Sequence, residues 1–263
     1  MSAVPPDDRG FLLGDGLFET VLAIAGRPLF LDQHLARLAR GCGVLGLPAP
    51  DDDVVRRAVD QALAGAGLLD ARAAVRLTWT AGSGGRGLDR PAPVQPRLVA
   101  TAAPAPAPLG LASLAMASIR RNQGSPASRL KTLAYLDNVL ARREAAAAGA
   151  DEAAMLNTMG EIACAAAANV FWVRGGRLFT PALDCGVLDG IARGQVLALA
   201  AAMGVETMEA RAGTEALEAA EAVFLTNSLI GVRAVGRIEG RDLPPHALTT
   251  TLAAAWATLA ASA

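Results

Sequence analysis

The sequence predicts an α+β protein in two subdomains, on three observations. Segments with strand and helix patterns are mixed without the strict strand–helix–strand alternation of a parallel sheet. The run Ala103-Pro104-Ala105-Pro106-Ala107-Pro108 forbids helix and favours an extended connector between two folded parts. At 263 residues, 52% hydrophobic and 19% charged, the chain has the profile of a globular protein with room for one large or two modest cores. The predicted division is a small N-terminal subdomain over 1–103, a Pro-rich linker over 104–109 and a large C-terminal subdomain over 110–263.

Residues 17–30 alternate and then turn at Ala25-Gly26-Arg27-Pro28, a hairpin pattern. A helix carrying His34, Arg37 and Leu38 follows, and a second starts near Asp51-Asp52-Asp53, whose carboxylates suit a helix N-terminus. Residues 73–80 and 96–102 read as strands. Beyond the prolines, a strand over about 111–120 leads through Gln123-Gly124-Ser125-Pro126 into a segment with Lys131 and an alanine-rich helix that stops at Gly149. Strands near 152–158 and 161–164 precede a hairpin from Val170 to Thr180 that turns at Gly175-Gly176. Asp189-Gly190-Ile191-Ala192-Arg193 opens a helix that reaches Met203 and ends at Gly204. Strands near 222–227 and 232–237 then lead to a C-terminal helix running to Trp256.

Composition excludes several classes of function. Lys and Arg (24) balance Asp and Glu (25), leaving a net charge of −1, so no overall field draws the chain to nucleic acid or to an anionic membrane. No apolar run approaches the roughly 18 residues that span a bilayer. Asp7, Asp8 and Arg9 stand where a signal peptide would be apolar, so a cytoplasmic protein is expected. Cys42, Cys164 and Cys185 are odd in number and far apart, which fits reduced thiols; with His34 and His246 the only histidines, no metal-ligand spacing is present. Cys42 and Cys185 read as small core residues, and His34 as a capping or packing residue.

Of the 24 basic residues, 23 are arginine and one is lysine, Lys131; Tyr135, one helical turn on, is the only tyrosine. A GC-rich genome leaves such a lysine by chance. Alternatively, Lys131 is retained because only a primary amine can lose its proton and condense with a carbonyl, which a guanidinium cannot do. Gly82-Ser83-Gly84-Gly85-Arg86-Gly87 matches G-x-G-x-x-G, but the following Leu88-Asp89-Arg90-Pro91-Ala92-Pro93 cannot open the helix that a dinucleotide needs. It reads as a flexible glycine loop, or as a mobile loop presenting Arg86 to a carboxylate. Gly190-Ile191-Ala192 puts a glycine before a helix whose first N–H groups can bind an anion, and Arg37 and Thr226-Asn227-Ser228 could add a counter-charge and hydroxyls. A Schiff-base amine, a helix N-terminus and hydroxyls together suggest pyridoxal phosphate.

Six segments, in order, resemble the class IV aminotransferases (fold type IV pyridoxal-phosphate enzymes), which include branched-chain and D-amino-acid transaminases and 4-amino-4-deoxychorismate lyase. They are Asp8-Arg9-Gly10 with Gly14–Thr20; His34-Leu35-Ala36-Arg37-Leu38; Lys131–Ala141; Asn169-Val170-Phe171; Thr180-Pro181; and Gly190-Ile191-Ala192-Arg193. The resemblance covers nearly the whole chain. It implies a two-subdomain α+β fold with pyridoxal phosphate between the subdomains, a small-molecule amino substrate and a homodimer. It makes Lys131 the Schiff-base residue and catalytic base, Arg37 a phosphate ligand, Ile191 and Ala192 backbone N–H donors to the phosphate, and Ser228 a phosphate-binding hydroxyl. Asn169 and Tyr135 fall at cofactor-binding positions. Phe18 falls on the wall of the substrate pocket, with plain core as the other reading, and Arg86 toward a substrate carboxylate.

The Gly82–Gly87 loop and the Thr226–Val232 segment are more similar to the aminodeoxychorismate lyases, so the expected reaction releases pyruvate and 4-aminobenzoate, a step of folate biosynthesis. The alternatives are a transaminase of D- or branched-chain amino acids, and a cofactor-binding homologue with weak catalysis. The last arises from one departure. Where the family has a glutamate on the pyridine nitrogen, five residues before Asn169, this chain has Cys164. A thiol of ordinary pKa about 8.5 is mostly neutral near pH 7 and withdraws few electrons through the ring. That weakness would slow transamination more than a lyase reaction whose product ring becomes aromatic. Glu161, three residues earlier in an extended segment, points to the opposite face unless a bulge intervenes. Ala192 stands where the family usually has threonine, which removes a hydroxyl but leaves the backbone donor.

Overall fold

The structure is a computed structural model that describes residues 4–107 and 110–262. Pro108 and Leu109, at the end of the expected linker, lie outside the described residues. The chain divides into two compact units: Met1–Pro106 with Leu130–Ala134, and Ala107–Arg129 with Tyr135–Ala263. Both units combine helices with sheets, the α+β class.

The first unit contains α1 (Arg9–Leu13), β1 (Gly16–Ile24), β2 (Arg27–Pro28), α2 (Leu31–Leu45), α3 (Asp52–Gly65), β3 (Arg72–Thr80) and β4 (Arg97–Pro104). Its antiparallel sheet has the order β2-β1-β3-β4. The hairpin pattern over 17–30 turns out to be a minor pairing: β2 meets only Ala23 and Ile24, whereas β3 pairs with β1 along its whole length, from Gly16 opposite Thr80 to Ile24 opposite Arg72. Helix α2 buries Leu31, His34, Leu35, Leu38 and Cys42, and α3 buries Val55, Val59 and Leu63, the three-and-four spacing of one apolar stripe. These stripes pack on Val21, Ala23, Val75 and Leu77 of the sheet, and each fully buried Val or Leu contributes about 1.5–3 kcal/mol. The Asp51 carboxylate accepts the Val54 N–H at 3.0 Å, and Asp52 and Asp53 occupy the first turn of α3, where the helix dipole favours them.

The second unit contains β5 (Ala112–Met116), α4 (Pro126–Arg129), α5 (Leu136–Ala147), β6 (Glu152–Leu156), β7 (Ile162–Ala165), β8 (Asn169–Arg174), β9 (Arg177–Pro181), α6 (Ile191–Ala202), β10 (Thr207–Ala210), α7 (Glu215–Glu218), β11 (Ala222–Asn227), β12 (Gly231–Ile238), β13 (Arg241–Asp242) and α8 (Ala247–Ser262). Its sheet runs β10-β9-β8-β11-β12-β5-β6-β7, with β13 beside β12. Phe171 of β8 stacks on Phe224 of β11, with ring centroids 4.9 Å apart, at a register position where the two residues face each other. The strand expected over 111–120 ends at Met116. Beyond it the backbone only touches β6 and the residues that follow, through Ala117 N–H to the Ala154 carbonyl and Arg121 N–H to the Leu156 carbonyl.

Two glycines separate close packing from simple helix propensity. A Cβ on Gly16 would lie 2.4 Å from the Trp79 carbonyl oxygen on β3, whereas one on Gly43, in α2, meets nothing within 4 Å. Gly43→Ala is expected to stabilise the chain by about 0.5–1 kcal/mol, and Gly16→Ala to destabilise it by about 2 kcal/mol or more; urea unfolding of the two variants checks both signs.

Candidate functional site

Lys131 is placed by backbone pairing with β1. The Phe18 N–H donates to the Lys131 carbonyl at 2.8 Å and the Leu133 N–H to the Gly16 carbonyl at 3.0 Å, with Leu17 opposite Thr132. This corrects the picture of Lys131 and Tyr135 one turn apart on a helix: α5 begins at Leu136, and Tyr135 is its half-buried N-cap residue. Prolonged helix periodicity had concealed a segment that serves the first unit instead.

Around Lys131 the first unit gathers an aromatic ring, two guanidinium groups and one carboxylate. Lys131 Nζ lies 4.1 Å from the Phe18 ring centroid, and Arg76 Cζ lies 3.9 Å from the same centroid. Arg76 is opposite Thr20 in the β1–β3 register, and so diagonal to Phe18. Glu19 is 1% exposed, and its carboxylate accepts from Arg37 Nε at 2.8 Å, Arg37 Nη2 at 2.6 Å and His34 Nδ1 at 2.7 Å. His34 is therefore a partner of a buried carboxylate rather than a cap or a plain packing residue. Glu19 and Arg76 were not singled out from the sequence. Glu19 could have been, since it is the one acid in a strand whose other residues, the half-buried Thr20 apart, are apolar.

Burial pushes the Lys131 ammonium down to about 8, Glu19 opposes that shift, and Arg37 and Arg76 reinforce it. For Glu19 burial works the other way, but the bonds and charges of Arg37 and His34 outweigh it and hold the carboxyl down at about 2. Removing one partner of such a buried pair typically destabilises by about 3–5 kcal/mol.

The Gly82–Gly87 loop is neither loose nor unsupported. Arg9, 4% exposed, donates to the carbonyls of Gly87, Leu88 and Asp89, and its Nε to Asp15; Arg90 also pairs with Asp15, whose pKa is lowered by Arg90 first and then Arg9. Arg9 also donates its backbone N–H to the Gly82 carbonyl at 2.8 Å, so it is bonded at both ends of the glycine loop. Arg86 is exposed on this loop.

In the second unit, α6 starts at Ile191 with Gly190 as N-cap and no side-chain cap, so its first N–H groups are left for an anion. Asn169, at the start of β8, donates Nδ2 to the Leu188 carbonyl, and a Cβ on residue 190 would lie 2.1 Å from Asn169 Oδ1. Asn169 and Gly190 therefore fix where α6 begins, and Ala192 is buried in that first turn. Helix α6 packs on β11, at whose end the buried Thr226 Oγ1 has no hydrogen-bond partner among the described residues. Ser228 follows in a turn held by Asn227 Oδ1, which accepts from Leu229 and Ile230.

Cys164 is buried on β7 opposite Met155, and burial raises its thiol pKa, with Arg121 pulling down and Glu152 pushing up. The pairing of β6 and β7 slips between Met155 and Leu156, the kind of bulge that resets side-chain alternation. Even so, Glu161 accepts from Asn157 Nδ2 at 2.7 Å and from Cys185 Sγ at 3.5 Å. Cys42 and Cys185 are buried, with thiols raised to about 11, by burial alone for Cys42 and chiefly by burial for Cys185. Among the described residues no group of three or more His, Cys, Asp or Glu could hold a metal, and no helix is long and apolar enough to cross a membrane.

The family model for class IV amino-transferases matches residues 16–238. This chain belongs to the class IV aminotransferase family. An aminodeoxychorismate lyase of Bacillus subtilis is 33% identical over 242 residues, 90% of this chain and 82% of the relative. Among solved structures, the branched-chain aminotransferase of Thermoproteus uzoniensis with norvaline aligns with a TM-score of 0.90 at 27% identity, over 97% of this chain and 89% of that one. A hypothetical aminotransferase of Mycobacterium tuberculosis in its PLP-bound form aligns at 0.87 and 25% identity, over 100% and 94%. Membership makes the chain an enzyme, and the family match spans residues from both units.

A buried amine disfavours its own charge, so the wild-type chain should gain stability as pH rises between 8 and 10.5, where the unfolded amine is still protonated and the folded one is not. Lys131→Met is expected to be more stable than wild type by about 3 kcal/mol at pH 7, with the advantage fading across that window; denaturant unfolding at pH 7 and pH 10 measures it.

Proposed function

We propose that the protein is a pyridoxal-phosphate enzyme of the aminodeoxychorismate-lyase type, releasing pyruvate and 4-aminobenzoate from 4-amino-4-deoxychorismate. The observation that carries the reading is Lys131: a primary amine with depressed proton affinity, beside Arg37 and Arg76, is suited to condense with an aldehyde and to exchange a proton with an anionic substrate. The residues present fit the cofactor. In the second unit its phosphate would be met by the Ile191 and Ala192 N–H groups, by Ser228 and by the Thr226 hydroxyl, which has no hydrogen-bond partner among the described residues; the family resemblance adds Arg37, which Glu19 orients through two nitrogens. Asn169 holds the start of α6 for that task, and Tyr135 and Cys164 complete the set of cofactor-binding residues.

When bound, the cofactor supplies electron withdrawal from the carbon that bears the substrate nitrogen. Lys131 Nζ takes the substrate proton, Phe18 walls the pocket, and Arg76 and Arg86 supply positive charge to substrate carboxylates. Cys164 favours the lyase, because a neutral thiol supports less electron withdrawal than a carboxylate and formation of an aromatic product supplies a driving force that transamination lacks. A homodimer is part of the proposal, supported by the exposed Phe11, Leu12 and Leu13 of α1.

The likeness of fold to a branched-chain aminotransferase favours a second reading, transamination of D- or branched-chain amino acids. Given aminodeoxychorismate and no amino acceptor, the loaded enzyme is expected to release pyruvate and 4-aminobenzoate in equal amounts. Turnover only when an amino acid and a 2-oxo acid are both supplied would establish the second reading instead.

A further inference from the structure

Resting on the reading that the start of α6 takes the cofactor's phosphate, we infer that Arg193 is the positioning residue of that anion site: its guanidinium bolts the first turn of α6 to β9 and β10 and so holds the Ile191 and Ala192 N–H groups in place. Arg193 is 2% exposed and is the third residue of the helix. Its Nη2 donates to the Pro181 carbonyl at 3.2 Å, where β9 ends, and lies 2.8 Å from the Glu209 carboxylate on β10. Its Nη1 lies 4.0 Å from the Asp189 carboxylate, just ahead of the helix. Glu209 is opposite Thr180 and Ala210 opposite Pro181 in the parallel β9–β10 register, so one side chain joins the helix to two neighbouring strands.

A cation is the wrong charge for the first turn of a helix, where the dipole favours carboxylates, and a buried guanidinium is costly unless carboxylates answer it. The choice is explained by what arginine cannot do. A glutamate or glutamine as third helical residue folds back to accept the N-cap N–H, and a Ser, Thr, Asp or Asn N-cap takes one of the next donors. Arginine has no acceptor and Gly190 has no side chain, so both leave the N–H groups of the first turn unclaimed, while Arg193 turns its own donors to the sheet. Asn169 fixes the chain from the other side, through Nδ2 to the Leu188 carbonyl at 2.9 Å, so that only residues 189–192 lie between the two anchors. The strands that carry those anchors are joined in turn, the Thr180 hydroxyl donating to the Val170 carbonyl at 2.9 Å. Independently of the helix, Thr226, opposite Asn169 in the β8–β11 register, has a buried hydroxyl with no partner among the described residues, which points to a ligand.

The test is the ratio of affinities for pyridoxal phosphate and pyridoxal, which differ only in the phosphate group, measured by absorbance titration of the purified full chain. A general loss of stability, or a change at the aldehyde end, alters both affinities together and leaves the ratio; displacement of the Ile191 and Ala192 N–H groups lowers it. Wild type should bind pyridoxal phosphate far more tightly than pyridoxal. In Arg193→Gln the ratio should fall about tenfold or more, with the affinity for pyridoxal unchanged. Glu209→Ala removes the half-exposed carboxylate and leaves the bond to Pro181, so it should lower the ratio about threefold, and it carries the test if Arg193→Gln fails to fold. A ratio unmoved in folded Arg193→Gln, or in Glu209→Ala where that variant alone folds, overturns the inference and leaves the phosphate reading standing. A wild type that binds the two aldehydes equally well overturns the phosphate reading at the start of α6, and the inference with it.

Discussion

A carboxylate removed from water must be satisfied by its neighbours, and Glu19, like Asp8, is a point at which the first unit meets that demand. Its three hydrogen bonds join strand β1 to helix α2, and the chain supplies Arg37 and His34 on the buried face of α2 because those positions are three apart. Once β1 is fixed, its register with β3 brings Arg76 diagonal to Phe18, and its backbone pairing with 130–134 brings Lys131 to the same ring. The amine's environment is therefore a consequence of strand register and one buried ion pair, not of local sequence around the lysine.

The second unit solves a different problem, which is to leave donors unused. Helix α6 has a glycine N-cap that offers no side-chain acceptor, and Asn169 binds the preceding turn instead of the helix N–H groups. Thr226 keeps a buried hydroxyl with no hydrogen-bond partner among the described residues. Buried polar groups without partners are uncommon, and this one stands near the end of a strand that packs on α6.

Much of this was legible in the sequence. The α+β class followed from the mixed pattern, and the lone lysine and the glycine that opens the helix at Ile191 were visible as residue types. What was not legible depended on pairing across long separations. The hairpin pattern at 17–30 was real but subordinate to β3, some fifty residues on, because alternation gives a face and not a partner. Lys131 looked helical because the following segment is, and no local signal marks a backbone bridge to Leu17. The anchors of the glycine loop were not legible either, because Arg9, Asp15 and Arg90 act from outside it. Cys164 is the opposite case: the substitution was plain in the sequence, and the structure adds that burial keeps the thiol neutral while Glu161 is engaged with Asn157 and Cys185.

The account turns on Lys131 as the residue that binds pyridoxal phosphate covalently. The most direct measurement is borohydride reduction of the purified protein after incubation with the cofactor, followed by peptide mass mapping. One reduced pyridoxyl-phosphate adduct, on the peptide containing Lys131, is the result this account predicts. A folded chain that carries no adduct, or carries it only at the N-terminal amine, would contradict it.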